Sequence, residues 1–127
     1  MKVIGIGNAL VDVLVRLNNE EILKELGFPK GSMQLVDAQT SALIQNKITN
    51  FKKQMASGGC AANTIHGLAH LGIETAFIGT VGKDAIGRFF EKDMKKSRID
   101  THLFKSDSPS GLAIAMITKD GERTFGT

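Results

Sequence analysis

Apolar and polar positions along the chain follow two periods, near two and near 3.6, and the switches between them mark the elements. Lys2 to Gly7 is an apolar run closed by glycine, which predicts a buried strand. Val11 to Leu17, written VDVLVRL, is β-branched and close to strict alternation, so a second strand is predicted. Asn18 and Glu21 have the spacing of a capping box and open a short predicted helix through Leu26. Gly27 stops it and Pro29 prevents its resumption. Ser32 to Val36 predicts a third, short strand, and Asp37 is placed to cap a helix reaching about Ile48.

In the second half, Ala61, Ile65, Leu68 and Leu71 recur at helical spacing, and Gly72 closes that helix. Glu74 to Val81 predicts a strand, and Asp84 caps a helix whose apolar stripe is Ile86, Phe89, Phe90 and Met94. Leu103 to Lys105 predicts a short strand. Leu112 to Thr118 and Glu122 to Phe125 flank Asp120-Gly121, a strong hairpin pattern. Strands alternating with helices predict an α/β fold with a mostly parallel sheet flanked by helices. The pieces at 11–17, 32–36 and 112–118 do not fit βαβ units and predict a small β sheet set apart from the main one.

Composition narrows the function classes. The 127 residues carry 16 basic and 13 acidic side chains, a net charge of +3, with the two signs mostly interspersed. Trp and Tyr are absent, and the one basic run, Lys92, Lys95, Lys96 and Arg98, reads as a solvated helix face, so no nucleic-acid partner is expected. The single cysteine cannot form an intrachain disulfide and suits a reducing, cytoplasmic setting. Asp12 interrupts the apolar N-terminus and no A-x-A-like cleavage site follows, so no signal peptide is expected, and no stretch predicts a membrane span.

Three segments carry candidate chemistry. Gly5 to Leu10, GIGNAL, follows a strand like a dinucleotide fingerprint, but Leu10 replaces the third glycine and the next residues favour strand. Asn8 and Asp12 are polar groups among apolar neighbours; a carboxylate there is either exposed at an edge or aimed at a hydroxyl-bearing ligand. Ser57 to Thr64, SGGCAANT, places Gly58 and Gly59 at a helix start, where free N–H groups point outward, with Asn63 one turn in as donor and acceptor. A tight turn before a well-packed helix explains the same residues, and both readings stay open here. Gly79 to Gly87, G-x-V-G-x-D-x-x-G, reads as a strand, a turn and a helix capped by Asp84, with the loop free to line a site as well. His66 and His70 are four apart, a spacing metals use, but no carboxylate or thiolate lies in register, so no metal site is assigned. Cys60 has no Cys-His-Asn constellation around it.

Taken together, Gly5-x-Gly7-Asn8 with Asp12, Gly58-Gly59-Cys60-Ala61-Ala62-Asn63, Gly79 to Gly87 and Asp120-Gly121-Glu122-Arg123-Thr124 resemble, in order and spacing, the motifs of the ribokinase-like or pfkB family of sugar and nucleoside kinases. Leu26 to Asp37, LGFPKGSMQLVD, is more similar to the adenosine-kinase-like branch. The resemblance implies transfer of the γ-phosphoryl group of ATP, assisted by magnesium, to a hydroxyl of a sugar or nucleoside. It implies that Asn8, Asp12, Gly58, Gly59 and Asn63 bind that substrate. It also implies that the strands at 11–17, 32–36 and 112–118 form a lid whose sheet makes a homodimer interface in several relatives.

The family's catalytic aspartate sits in a G-A-G-D motif near the C-terminus, and no G-A-G-D occurs here. The expectation is therefore the N-terminal, substrate-binding part of such a kinase, inactive alone, without the C-terminal ATP-binding part. It is expected to associate with that part or with a second copy. The alternative is a non-catalytic ligand-binding or interaction module using the same front half.

Overall fold

The N-terminal apolar run forms β1 (Lys2–Ile6), and the alternating segment after it forms β2 (Leu10–Arg16). There follow α1 (Glu21–Leu26), β3 (Met33–Gln34), α2 (Ala38–Lys47), β4 (Lys53–Gly58), α3 (Cys60–His70), β5 (Glu74–Gly82), α4 (Ala85–Lys96), β6 (Asp100–Ser106), β7 (Gly111–Ile117) and β8 (Arg123–Gly126). The computed structural model describes residues 1–127. They fall into two compact units, Met1–Val11 with Ala56–Gly111, and Asp12–Met55 with Leu112–Thr127.

The first unit is built on a parallel sheet of order β1-β5-β6. Successive side chains of a strand point to opposite faces, so Gly5 and its register partner Phe77 share a face. That face is covered by helices. Ile65 of α3 fills the space beside Gly5. Phe90 of α4 meets Phe77 with ring centroids 5.4 Å apart and a tilt of 53°, a favourable aromatic geometry. The other face carries Ile4, Ile6 and Phe104, which are 56%, 73% and 68% exposed.

The second unit is built on a mixed sheet of order β3-β8-β7-β2-β4, in which β2, β4 and β7 each include residues of the first unit. The β7–β8 hairpin is antiparallel, pairing Ile114 with Gly126 and Ile117 with Arg123. Its turn needs Gly121, which sits at φ +88°. β3 runs parallel to β8, with Met33 opposite Phe125. Ile44 of α2 and Phe28 lie against Gly126, so Ile114 and Met116 face the helices and are buried. Val13 and Val15 are buried too, while Asp12, Leu14 and Arg16 alternate onto the opposite face.

The α/β class, the β sheet set apart and both aspartate caps are as expected; Asp37 accepts from the Thr40 amide at 2.7 Å. Several details differ. Asn18 caps nothing: Asn19 accepts from the Glu21 amide instead, and α1 starts without a side-chain cap. The strand at 32–36 shrinks to Met33–Gln34, and the set-apart sheet has five strands rather than three because β4 and β8 join it. β6 is longer than Leu103–Lys105. Leu71 caps the end of α3 and is exposed rather than packed in its stripe. No helix is long and apolar enough to cross a membrane.

Candidate functional site

Small residues shape the first unit where β1 ends. A Cβ on Gly5 would lie 2.4 Å from Ile65 Cγ1, and one on Gly7 would lie 2.8 Å from Ala61 Cβ. Both glycines therefore let α3 lie close along β1. After Gly7 the chain enters a strand, not a helix, so no helix N-terminus is offered to a pyrophosphate and the dinucleotide arrangement is excluded.

The Gly58-Gly59 pair joins β4 to α3. Gly58 is buried. Gly59 has φ +96°, in the region that favours glycine, and a Cβ there would meet the Asn8 carbonyl oxygen at 2.7 Å. What Gly59 approaches is thus the protein's own backbone, and the fold demands glycine with or without a ligand. The Asn63 amide donates to the Gly59 carbonyl at 2.8 Å, which starts α3. The Asn8 and Asn63 side chains are exposed and carry no hydrogen bond within the protein, so their amide groups are available. Cys60 is exposed.

A cavity of about 470 Å³ opens at the carboxyl ends of β1 and β5, lined by Gly7, Asn8, Leu10, Gly79, Thr80 and Phe104 among others. Open α/β sheets hold their ligands outside the carboxyl ends of the strands, because loops and free backbone groups gather there. Of the substrate-binding residues expected from sequence, Asn8 lines this cavity.

Sequence reasoning missed a polar cluster beside the glycine turn. Buried Ser57 donates both its amide, at 2.9 Å, and its hydroxyl, at 2.7 Å, to Asp93 Oδ2 on α4. His66 Nε2 on α3 lies 2.7 Å from the same hydroxyl oxygen. The hydroxyl has one proton and gives it to the carboxylate, so the imidazole Nε2–H is the donor to Ser57. With the proton committed that way the serine is not an activated nucleophile. The cluster instead ties β4, α3 and α4 together one residue before Gly58. Burial holds His66 below the usual imidazole range, against the pull of Asp93. Burial also pushes the Asp93 carboxyl up, but the two Ser57 hydrogen bonds and the nearby His66 outweigh it and leave Asp93 low. The separation of 36 residues between Ser57 and Asp93 left no sequence pattern to find.

The Gly79 to Gly87 segment is a structural knot. Asp84 Oδ1 accepts from the Gly87 amide at 2.8 Å and from Ser110 Oγ at 2.7 Å; Oδ2 accepts from the Ser110 amide at 2.8 Å. Burial raises the Asp84 carboxyl, but these donors outweigh it and hold it low. A Cβ on Gly87 would lie 2.4 Å from the Gly82 carbonyl oxygen, and one on Gly82 would lie 2.6 Å from that of Ser108. Capping and close packing therefore account for the motif.

Asp12 lies in the second unit, on the face of β2 opposite its buried valines. Its carboxylate is half-buried, and burial pushes its pKa up. It takes part in no hydrogen bond or ion pair within that unit, so its acceptor oxygens are free to meet a donor from a ligand.

The family model described as pfkB family carbohydrate kinase matches residues 16–127. A fructokinase from Klebsiella pneumoniae is 36% identical over 70 residues, which cover 54% of this chain and 23% of that protein. The adenosine kinase from Sinorhizobium meliloti superimposes with a TM-score of 0.78 at 32% identity, over 98% of this chain and 38% of its own. The adenosine kinase from Trypanosoma brucei brucei superimposes with a TM-score of 0.87 at 20% identity, which establishes likeness of fold. The chain spans under two fifths of the length of each of these relatives.

Proposed function

The chain belongs to the pfkB family of carbohydrate kinases, and from that premise we propose that residues 1–127 supply the acceptor-binding side of a kinase that phosphorylates a hydroxyl of a sugar or nucleoside. The observation that carries this reading is the cavity at the carboxyl ends of the parallel strands, with the unpartnered Asn8 amide in its wall. Asn8 and Asn63 offer donors and acceptors to ring hydroxyls, and the half-buried Asp12 carboxylate accepts from them. The low burial cost of that arrangement in the bound state comes from the ligand satisfying the carboxylate. Gly58 and Gly59 contribute by keeping the turn narrow, Gly59 through the approach to Asn8 described above. The five-stranded sheet takes the role of the lid, which in such enzymes keeps water from the reacting phosphate.

ATP is the donor that membership of the family supports. No group of three or more His, Cys, Asp or Glu side chains converges to hold a metal ion, so no magnesium-dependent step is derived from these residues. Phosphoryl transfer depends on positioning and on stabilising the charge of the moving group. The residues assigned above hold the acceptor, and none of them is placed to stabilise the charge of the moving group, so the 127-residue chain alone is proposed to bind an acceptor without phosphorylating it. The exposed Ile4, Ile6 and Phe104 favour association of the first unit's open face with further kinase sequence. The 67% and 92% exposed Met33 and Leu35 on the β3 side favour pairing of that edge with a second copy. A cytoplasmic location accords with the single free cysteine.

The test is calorimetric titration of the chain with fructose, ribose and adenosine, beside an ADP-release assay with ATP and magnesium. Saturable binding of one of them, lost in Asn63→Ala and in Asp12→Ala with the fold intact, is the expected result. Affinity unchanged in both variants overturns the assignment of these residues, and ligand-dependent ADP release overturns the proposal that the chain is inactive alone.

A further inference from the structure

The second unit has a cavity of its own, about 480 Å³, which uses none of the residues assigned to the acceptor. Three cations line it, Arg16, Lys52 and Arg123, and no carboxylate does. None of the three takes part in an ion pair; every ion pair of the chain uses one of six other lysines. Ten of the 16 basic residues form no ion pair, and three of those ten gather in this one cavity.

Topology builds the grouping. In the order β8-β7-β2-β4, one end of the sheet lines up Arg123, Ile117, Arg16 and Gln54, one residue from each strand. Arg123 pairs with Ile117, and the Leu17 amide donates to the Ile117 carbonyl at 2.8 Å, which holds the end of β2 in place. The floor is apolar: Ile117 is buried, and Leu14 and Phe51 are half-buried. Asn18, Asn50 and Gln54 add neutral donors at the rim. Like charges gathered without counter-charges repel one another, and the arrangement is relieved when an anion arrives. Two arginine forks match a phosphate geometrically, and an apolar floor matches a ring. The volume falls within the span of about 300–1,000 Å³ typical of small-molecule sites.

We propose that this cavity is a binding site for a ring-bearing phosphomonoester, its phosphate held by Arg16, Lys52 and Arg123 and its ring on Phe51, Leu14 and Ile117. The test is amide NMR of the 127-residue chain titrated with phenyl phosphate, inorganic phosphate and benzyl alcohol. Phenyl phosphate is expected to give saturable shifts at residues 14–18, 50–54, 117 and 123, to bind more tightly than inorganic phosphate, and to weaken with added salt. Arg16→Gln and Arg123→Gln should each weaken it about tenfold, the loss of a charge-assisted hydrogen bond. Phe51→Ala should remove the advantage of phenyl phosphate while leaving inorganic phosphate unchanged. Should an arginine variant lose its dispersed spectrum, the exposed Lys52→Gln carries the same expectation. Shifts that rise without saturation or scatter over the lysines of α4 overturn the proposal, as does affinity unchanged in the folded variants. A charge-dependent change in oligomer mass without saturable phosphate binding overturns it in favour of an interface between copies.

Discussion

In the first unit four glycines lie where a Cβ would strike backbone: Gly59 against the Asn8 carbonyl, Gly79 against that of Gly7, Gly82 against that of Ser108 and Gly87 against that of Gly82, all under 3.0 Å. In the second unit the tightest glycine, Gly126, would meet the tip of a side chain, Ile44 Cδ1, at 2.7 Å, while Gly27 and Gly121 have open space. Both units cover one face of a sheet with two helices. The first also sets its glycine turn, its strand ends and the start of α4 backbone against backbone, which yields only if a whole segment moves. The second meets its tightest glycine with a side chain that changes rotamer. The difference teaches that the first unit should resist substitution where the second accommodates it.

The largest effect is expected from the pair Gly87→Ala and Gly126→Ala. The first forces the α4 start away from the β5 end and should cost about 3 kcal/mol or more; the second asks Ile44 to shift and should cost about 1 kcal/mol. Urea unfolding measures both, and equal losses would break the comparison. Asp84→Ala comes next. It removes an N-cap and two further hydrogen bonds to Ser110, with an expected loss of about 2–3 kcal/mol. Hydrogen exchange reads where the loss falls: in the first unit if the units open separately, across both if they open together.

A smaller effect, about 1–2 kcal/mol, is expected for Ser57→Ala, which removes the hydroxyl that Asp93 and His66 share and leaves Asp93 only the backbone amide of residue 57. It comes with a pH dependence. His66 has a folded pKa below the usual imidazole value, so its contribution is present above about pH 6.5 and is lost as pH falls through that range. Asp93 is also held low, so its contribution persists until more acid conditions. Denaturation midpoints across pH 5–8, with His66 followed by NMR, check the sign; stability rising on acidification through that window would contradict it.

The two units were not equally legible. The first was open to a reading of period and caps, because Ile65 and Ala62 on α3, Phe90 and Met94 on α4, and the Asp84 cap each act over one or two turns. Its edges were not. β6 alternates polar residues on both faces, so only its apolar middle was visible, and β4 escaped because residues 53–56 are exposed and show no alternation. In the second unit the hairpin was plain from Asp120-Gly121, but β3 has only two paired residues and owes its place to β8 rather than to its own pattern. The candidate site was half legible. Motif spacing marked Asn8, Asp12, Gly58, Gly59 and Asn63, yet the reason for Gly59 lies in the Asn8 carbonyl, 51 residues away, and the Ser57 cluster joins three elements far apart in sequence.

Asp12→Asn should give the smallest change in stability and the most informative one. Burial raises the Asp12 pKa in the folded protein above its value in the unfolded chain. The charged form is therefore disfavoured by folding. The protein is relatively more stable below the usual carboxylate range, near pH 4, and loses that advantage as pH rises through the raised value. An amide of the same shape has no charge to desolvate, so Asp12→Asn should match the parent in acid and exceed it slightly at neutral pH. The gain should stay below about 1 kcal/mol, because the group is only half-buried and solvent screens it. Acceptor affinity should move the other way, since an amide nitrogen repels the hydroxyl hydrogen that a carboxylate oxygen accepts. A residue kept for packing would show no such opposition. Thermal midpoints across pH 3–8 measure one sign and calorimetric titration with the acceptor the other. If stability and affinity fall together in Asp12→Asn, Asp12 belongs to the framework of the second unit and the acceptor site must be rebuilt without it.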